Sequence, residues 1–253
     1  MYYLTQSVHR NAQTRGNKIA TINGARQHTW KQLKDRVARF AGALKSIGVQ
    51  EGERVAILAL NSDRYLEYYF GVPWAGACVV PLNIRWSPVE NAYSLKDAGV
   101  EVLVVDDAFA KMVPALKAQG VNLKSVIFIG DGELPKGMLS YEQLIKVHQP
   151  TADAFRKGDD LAGIYYTGGT TGFPKGVMLT HSNMWSSAIA LVSLIGLKEE
   201  NRVLHAAPMF HLADGAMTQG GMLAGSTHVF IPMFTPAGTI KAIADNKVTH
   251  ALL

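Results

Sequence analysis

Apolar residues recur at helical spacing through residues 29–48. The side chains that share one face of this segment are Trp30, Leu33, Val37, Phe40, Ala41, Leu44 and Ile47. A spacing of three and four residues is typical of an amphipathic helix that covers a core. Thr29 and Gln32 are placed to form a capping box at its start, and Gly48 marks its end. The pattern therefore predicts a helix over residues 29–48.

Short apolar runs alternate with further helical segments along the first half of the chain. The predicted strands cover residues 54–60, 77–82, 101–105 and 125–129. The predicted helices between them cover residues 62–74, 87–99 and 111–118. Ser87, Pro88 and Glu90 supply an N-cap, a first-turn proline and a reciprocal glutamate for the second of these helices.

The same alternation resumes after a more polar region at residues 131–160. Strands are predicted at residues 161–166, 177–179, 202–207, 227–231 and 248–253. A helix from Ser182, a glycine-rich helix or loop over 211–225 and a helix over 236–246 are predicted among them. Strands that alternate with helices are typical of an α/β fold with mostly parallel sheets flanked by helices. We therefore expect two α/β subdomains, residues 1–150 and 151–253, joined through the polar region.

The most distinctive stretch of the chain is the run YYTGGTTGFPKG at residues 165–176. It lies between two predicted strands and combines glycines, threonines and one lysine. Glycine lets backbone N–H groups approach an anion closely, hydroxyls add donors, and lysine adds a positive charge. The composition therefore favours a polyphosphate-binding loop over the alternative, a glycine-rich turn in an unrelated hairpin.

Two common phosphate loops do not match this run. A Walker A loop requires Gly-Lys-Ser/Thr, whereas Lys175 follows Pro174 and precedes Gly176. A dinucleotide-binding fingerprint requires the spacing G-x-G-x-x-G, which no glycines of the chain show.

The nucleophile elbow G-x-S-x-G is also missing from the sequence, which disfavours an α/β hydrolase.

Residues 166–177 resemble the phosphate-binding signature of the adenylate-forming (AMP-binding) superfamily. That signature reads Tyr-Thr-Ser-Gly-Thr-Thr-Gly-x-Pro-Lys-Gly-Val, and Gly168 stands where serine is usual. Residues 75–83 resemble an upstream element of the same superfamily, and Pro208, Phe210 and His211 match its P-x-F-H element. The superfamily includes acyl-CoA synthetases, luciferases and the adenylation domains of peptide synthetases. The resemblance covers the chain from about residue 29 onward.

This resemblance implies an acid–thiol ligase, an AMP-forming acyl-CoA synthetase that acts on a carboxylic acid, in the first instance a fatty acid. Such enzymes join a carboxylate to the α-phosphate of ATP, release pyrophosphate and then let the thiol of CoA displace AMP. ATP, Mg²⁺ and CoA are the implied cofactors, and the implied role is in fatty acid metabolism. Two alternatives stay open: an aryl-acid or other adenylating enzyme, and a nucleotide- or acyl-binding homologue without turnover.

The resemblance also assigns roles to individual residues. The donors that would grip the β- and γ-phosphates are Thr167, Gly168, Gly169, Thr170, Thr171 and Gly172. Lys175 would add positive charge, and the alternative is an exposed loop lysine without a function. His211 would sit where the acyl pocket meets the reacting carboxylate, and the alternative is a core or boundary histidine. Residues 214–225, rich in glycine and methionine, either line an elongated acyl pocket or allow close helix packing.

Members of the superfamily are about twice as long as this chain. The resemblance therefore implies a truncated N-terminal AMP-binding domain of two stacked αβα subdomains, without the C-terminal lid domain. The adenine-binding segment, the ribose-binding aspartate and the catalytic lysine are expected to be missing. The fragment is accordingly expected to be inactive by itself.

Composition and charge narrow the choice of partners. The 253-residue chain carries a net charge of +5, but its lysines and arginines are scattered, so no nucleic acid partner is expected. The single cysteine, Cys78, lies in an apolar run and is interpreted as a core residue. His205 and His211 lie six residues apart without a cysteine pair, so no metal site is assigned. No signal peptide or membrane-length apolar stretch is evident, which favours a cytoplasmic protein and leaves peripheral membrane contact and a homodimer open.

Overall fold

The computed structural model describes residues 2–168 and 172–253. Its strands are β1 (Ile19–Asn23), β2 (Arg26–Thr29), β3 (Arg54–Leu58), β4 (Cys78–Pro81), β5 (Val102–Val105), β6 (Ser125–Phe128), β7 (Leu139–Ser140), β8 (Leu161–Thr167), β9 (Lys175–Thr180), β10 (Arg202–His205), β11 (Thr227–Phe230) and β12 (His250–Leu252). Its helices are α1 (Gln6–Thr14), α2 (Trp30–Ser46), α3 (Asp63–Ala75), α4 (Pro88–Asp97), α5 (Val113–Ala118), α6 (Tyr141–Val147), α7 (His181–Ile195), α8 (Leu212–Ala224) and α9 (Pro236–Asn246).

The described strands form two sheets. One is seven-stranded with the order β7-β6-β5-β3-β4-β8-β9, and the other is five-stranded with the order β12-β10-β11-β1-β2. Neighbouring strands run parallel except in the β8–β9 and β1–β2 pairs. Parallel neighbours require crossover connections, which the intervening helices supply. The prediction of an α/β fold with mostly parallel sheets flanked by helices is therefore confirmed.

The expected division at residue 150 does not follow the two sheets. Strand β8, from the second half of the chain, pairs with β4, with Val79 opposite Gly163. Strand β1, from the first half, pairs in parallel with β11, with Thr21 opposite His228. Each sheet therefore contains strands from both halves, because the chain leaves the five-stranded sheet between β2 and β3 and returns to it between β9 and β10.

The sequence pattern does not predict α1, β1, β2 or α6. Strand β2 reads Arg-Gln-His-Thr, so it lacks the apolar alternation that marks a strand. Helix α6 is short and lies inside the polar region 131–160, where a connection is expected. Ser140 caps it by accepting a hydrogen bond from Gln143 N at 3.3 Å, and Tyr141 packs against Phe40 of α2. Local polarity therefore conceals an element whose apolar face is small.

The predicted capping boxes are confirmed. Gln32 N donates to Thr29 Oγ1 at 3.3 Å, and Thr29 N donates to Gln32 Oε1 at 2.8 Å. Gly48 follows this helix with φ at +95°. Helix α7 begins at His181, one residue before the expected start, because Thr180 and Asn183 form a reciprocal cap of the same kind.

Helix α3 lies in the middle of the fold, and each of its residues is buried. It packs on α2 and β4, and it also contacts β1 and β11 of the five-stranded sheet. Its buried Asp63 accepts hydrogen bonds from Arg26 Nε at 2.6 Å and from Asn23 Nδ2 at 2.9 Å. Burial alone would raise the pKa of Asp63, but the Arg26 guanidinium holds it below the ordinary value. This pairing fixes the β1–β2 hairpin against α3.

Candidate active site

The glycine-rich run joins β8 to β9 at one edge of the seven-stranded sheet. The two strands are antiparallel, with Tyr166 opposite Gly176 and Thr167 opposite Lys175. Gly176 allows this close approach, because a Cβ there would lie 2.8 Å from Ile164 Cγ2. The described residues of the predicted phosphate loop are therefore held at the end of a hairpin whose strands belong to a large sheet.

Four of the predicted phosphate-binding residues lie together at this hairpin end. Thr167, Gly168, Gly172 and Lys175 are all exposed. Thr167 Oγ1 makes a long hydrogen bond of 3.4 Å to the Lys175 carbonyl, and Gly172 has φ at +145°, in a region that favours glycine. Within the described residues, no ion pair engages Lys175. This donor set fits a polyphosphate, because the Lys175 charge is available to an anion and the weak 3.4 Å bond of the Thr167 hydroxyl can be exchanged for one to a phosphate oxygen.

The other three predicted residues, Gly169, Thr170 and Thr171, lie outside the described residues. Their place in the sequence is between Gly168 and Gly172, which both belong to the hairpin end. Their roles as phosphate donors stay predictions.

Helix α4 contacts strand β8 and the loop residue Phe173, which precedes β9. Tyr166 Oη donates to Asp97 Oδ2 at 2.6 Å, and burial together with this bond raises the pKa of Tyr166. Phe173 stacks on Tyr93, with ring centroids 4.6 Å apart and an interplanar angle of 17°. Sequence reasoning does not identify Tyr93 or Asp97 as parts of the site, since the contacts are made across distant segments. These contacts hold the ends of the loop.

His211 is the N-cap of α8. Its Nδ1 accepts a hydrogen bond from Ala213 N at 3.3 Å, and its side chain is exposed. The adjoining Phe210 is partly buried against the main core, and Tyr69 Oη donates to the Met209 carbonyl at 2.5 Å. His211 is therefore not a core residue, while the alternative of a boundary histidine, here one that caps α8, stays open. The P-x-F-H segment anchors its apolar part and leaves the histidine accessible at a helix N-terminus.

Some glycines of α8 allow close packing against neighbouring side chains, and one borders a cavity. A Cβ on Gly221 would lie 2.7 Å from His228 Cε1, and one on Gly220 would lie 3.3 Å from Leu191 Cδ2. Gly225 ends the helix with φ at +79°. Gly215 instead borders a cavity of about 100 Å³ between α7 and α8. Close packing therefore explains Gly220 and Gly221, and the acyl-pocket interpretation stays a prediction for Gly215.

This cavity between α7 and α8 has apolar walls with a few polar groups. Its apolar lining comes from Leu179, Met184, Leu212, Gly215 and Ala216. Its polar lining comes from Asn183, Ser187 and Gln219. Leu179 belongs to β9 and Leu212 directly follows His211, so the cavity adjoins both the hairpin strand and the start of α8. A pocket of this kind can hold an apolar group with a polar substituent.

A chain of buried polar groups ties α8 to the five-stranded sheet. Asp214 Oδ2 lies 2.8 Å from His205 Nδ1, and His205 Nε2 lies 2.8 Å from His228 Nδ1. All three side chains are fully buried. Burial, reinforced by His205, lowers the pKa of His228 well below its ordinary value. Sequence reasoning considers His205 only as a weak zinc candidate, because the pairing depends on parallel β10 and β11.

The described residues contain no helix long and apolar enough to cross a membrane. They also contain no group of three or more His, Cys, Asp or Glu side chains arranged to hold a metal ion. Cys78 is buried and its thiol donates to the Leu161 carbonyl at 3.1 Å, in agreement with its interpretation as a core residue.

Comparison with known proteins gives consistent matches over nearly the whole chain. The family described as AMP-binding enzyme matches residues 8–253. A feruloyl-CoA synthase from an Amycolatopsis species is 34% identical over 241 residues, which is 95% of this chain and 46% of that protein. A long-chain-fatty-acid–CoA ligase from Thermus thermophilus is 36% identical over 225 residues, which is 87% of this chain and 41% of that protein.

The fold has a similar counterpart among solved structures. The crystal structure of the anthranilate CoA ligase AuaEII in complex with anthranoyl-AMP superposes with a TM-score of 0.93 and 27% identity. The match covers 99% of this chain and 49% of that one. The chain thus spans about half the length of the relatives it matches. Because the family matches residues 8–253 and the β8–β9 hairpin carries its signature, the chain belongs to the AMP-binding enzyme family.

Proposed function

We propose that the protein containing this chain activates a carboxylic acid with ATP and transfers the acyl group to CoA. The carboxylate oxygen attacks the α-phosphorus, which forms an acyl adenylate and releases pyrophosphate. The CoA sulfur then attacks the acyl carbonyl carbon, and AMP leaves. The observation that carries the proposal is the exposed set of Thr167, Gly168, Gly172 and Lys175 at the hairpin end of a chain from the AMP-binding family.

In this proposal the hairpin end binds the β- and γ-phosphates of ATP. Backbone N–H groups and hydroxyls, including those of Gly169, Thr170 and Thr171, donate to phosphate oxygens, and Lys175 neutralises charge. Because the reaction brings a carboxylate against a polyanion, positioning and charge stabilisation supply most of the rate enhancement. Mg²⁺ bound with ATP would add to this neutralisation. His211, accessible at the N-terminus of α8, lies beside the reacting carboxylate.

A fatty acid is the proposed substrate, and an aryl acid is the second candidate. The apolar walls supplied by Leu179, Met184, Leu212 and Ala216 suit the apolar body of either acid. The similarity to a long-chain-fatty-acid–CoA ligase supports the first, and the similarity to a feruloyl-CoA synthase supports the second. The proposal places the reaction in the cytoplasm and leaves peripheral membrane contact and a homodimer open.

Acid-dependent exchange of labelled pyrophosphate into ATP tests the proposal. The full-length protein is incubated with ATP, Mg²⁺, labelled pyrophosphate and a panel of fatty and aryl acids, each against a control without acid. Exchange that depends on an acid supports the ligase. If no acid of the panel promotes exchange while ATP still binds, a binding homologue without turnover is the better account.

A further inference from the structure

The Gln219 side chain is a buried polar group on the wall of the cavity between α7 and α8. It is only 5% exposed and lines that cavity. Among residues 2–168 and 172–253, no backbone or side-chain group hydrogen bonds its carboxamide. The side-chain oxygen and nitrogen of Gln219 keep some accessible surface, so a water molecule or a ligand in the cavity can bond them. A ligand that displaces such water has to supply the partner itself, because a buried amide without one is costly.

Two further polar side chains border the same cavity from α7. Asn183 uses its Oδ1 to accept from Thr180 N at 3.0 Å, so its Nδ2 donor group is left for other partners. Ser187 lies one turn further along α7 and adds a hydroxyl. Three hydrogen-bonding groups thus border a small space whose other walls are apolar. Such a lining selects ligands that combine an apolar body with a defined polar atom.

The position of Gln219 along α8 sets a length for that ligand. Gln219 lies eight residues after His211, which corresponds to about 12 Å along a helix axis at 1.5 Å per residue. Side chains on a helix lean towards its N-terminus by up to one turn of about 5.4 Å, which shortens this separation. A group that starts at His211 and reaches the Gln219 carboxamide therefore spans roughly 7 to 12 Å.

We propose that Gln219 is a specificity-determining residue that hydrogen bonds an oxygen substituent of the acyl group. The substrate class is a carboxylic acid with an apolar body and a hydroxyl, ether or keto oxygen roughly 7 to 12 Å from its carboxylate. This inference rests on the proposed function, because His211 marks the carboxylate end. An unsubstituted acid of the same length leaves the Gln219 carboxamide unpaired and is discriminated against.

The test compares 4-hydroxycinnamic acid with cinnamic acid, a pair that differs only in the distal oxygen. Dissociation constants for both acids are measured by calorimetry on the full-length wild-type protein and on Gln219→Met, which keeps the side-chain length and removes the amide. The wild type is expected to bind the hydroxylated acid at least about 10-fold more tightly. The Gln219→Met variant is expected to lose that preference. Gln143→Met, on the exposed face of α6, is the matched control and keeps it.

Several results would overturn the inference. One is a wild-type protein that binds both acids equally, as expected if only water occupies the cavity. Another is a Gln219→Met protein that keeps the preference, and a third is failure of both acids to bind. Calorimetry does not need turnover, whereas pyrophosphate exchange does. Failure of the selectivity is therefore distinguishable from failure of the ligase proposal. The ratio of the two dissociation constants measured on the wild-type protein remains a test even if the Gln219→Met variant folds poorly.

Discussion

Two glycines of α8 should respond in opposite directions to the same substitution. Gly215 and Gly221 both lie inside the helix, and neither has a positive φ. Alanine in a helix interior is more favourable than glycine by about 1 kcal/mol, partly because it restricts the unfolded chain. The difference between the two sites must therefore come from what the added methyl group meets.

At Gly215 the methyl group meets no obstacle. The nearest atoms to its Cβ are the hydroxyls of Tyr165 and Tyr69, each at 3.8 Å, which is ordinary contact. Gly215→Ala should therefore raise the free energy of unfolding by about 0.5 to 1 kcal/mol. Because Gly215 borders the cavity between α7 and α8, the same change should also narrow that cavity.

At Gly221 the methyl group would lie 2.7 Å from His228 Cε1. His228 cannot move without disturbing its 2.8 Å bond to His205. Overpacking costs about 1 to 3 kcal/mol, and loss of a buried hydrogen bond costs a similar amount. After the helix-propensity gain of about 1 kcal/mol, Gly221→Ala should lower the free energy of unfolding by on the order of 2 kcal/mol.

Urea unfolding of the full-length protein, followed by circular dichroism, measures both changes. Ser193→Ala, on the exposed face of α7, is the control and should shift the free energy of unfolding by less than about 0.5 kcal/mol. The reasoning is refuted if Gly221→Ala stabilises the protein as much as Gly215→Ala. That result would mean that the packing of α8 against His228 is not tight.

Three other predictions concern charge and pH. Lys175→Ala should lower the rate of acid-dependent pyrophosphate exchange at least about 10-fold, whereas the control Lys146→Ala on α6 should leave it unchanged. Equal exchange rates in Lys175→Ala and the wild type would show that Lys175 is not part of the site. Burial lowers the pKa of His181 from 6.5 to about 4, so the unfolded chain alone takes up this proton below pH 6.5. Stability should therefore fall by about 2 kcal/mol between pH 7 and pH 5 in urea titrations, with His228 adding to the fall, and a flat profile would contradict this burial. Asp214→Ala should lower the free energy of unfolding by about 1 to 3 kcal/mol, as measured by urea titration, because it leaves the buried His205 Nδ1 without its partner. An unchanged urea midpoint would contradict the buried chain of Asp214, His205 and His228.

The features that the sequence predicts best are those determined by neighbours in the chain. The capping boxes at Thr29 and Ser87 depend on residues three positions apart, so local reading is sufficient. The apolar strands of the seven-stranded sheet are buried on both faces and appear as continuous apolar runs. The signature at the β8–β9 hairpin is also local, which is why it identifies the family.

Features that depend on distant pairing cannot be read in this way. Strand β1 joins β11 about 200 residues later, and nothing in Ile19–Asn23 specifies that neighbour. The contact between His205 and Asp214 requires α8 to fold back over β10. Gln219 looks like an ordinary helix residue until its side chain is found buried in a cavity wall. All three features depend on tertiary packing, and one of them, Gln219, carries the proposed selectivity.

The fate of the carboxylate oxygen tests the central proposal most directly. The full-length protein is incubated with ATP, Mg²⁺, CoA and an acid labelled with ¹⁸O in its carboxylate, and the released AMP is examined by mass spectrometry. Adenylation predicts labelled AMP, because the oxygen that attacks the α-phosphorus stays with phosphorus when CoA attacks the carbonyl carbon. Unlabelled AMP, or ADP with the label in inorganic phosphate, would contradict the account.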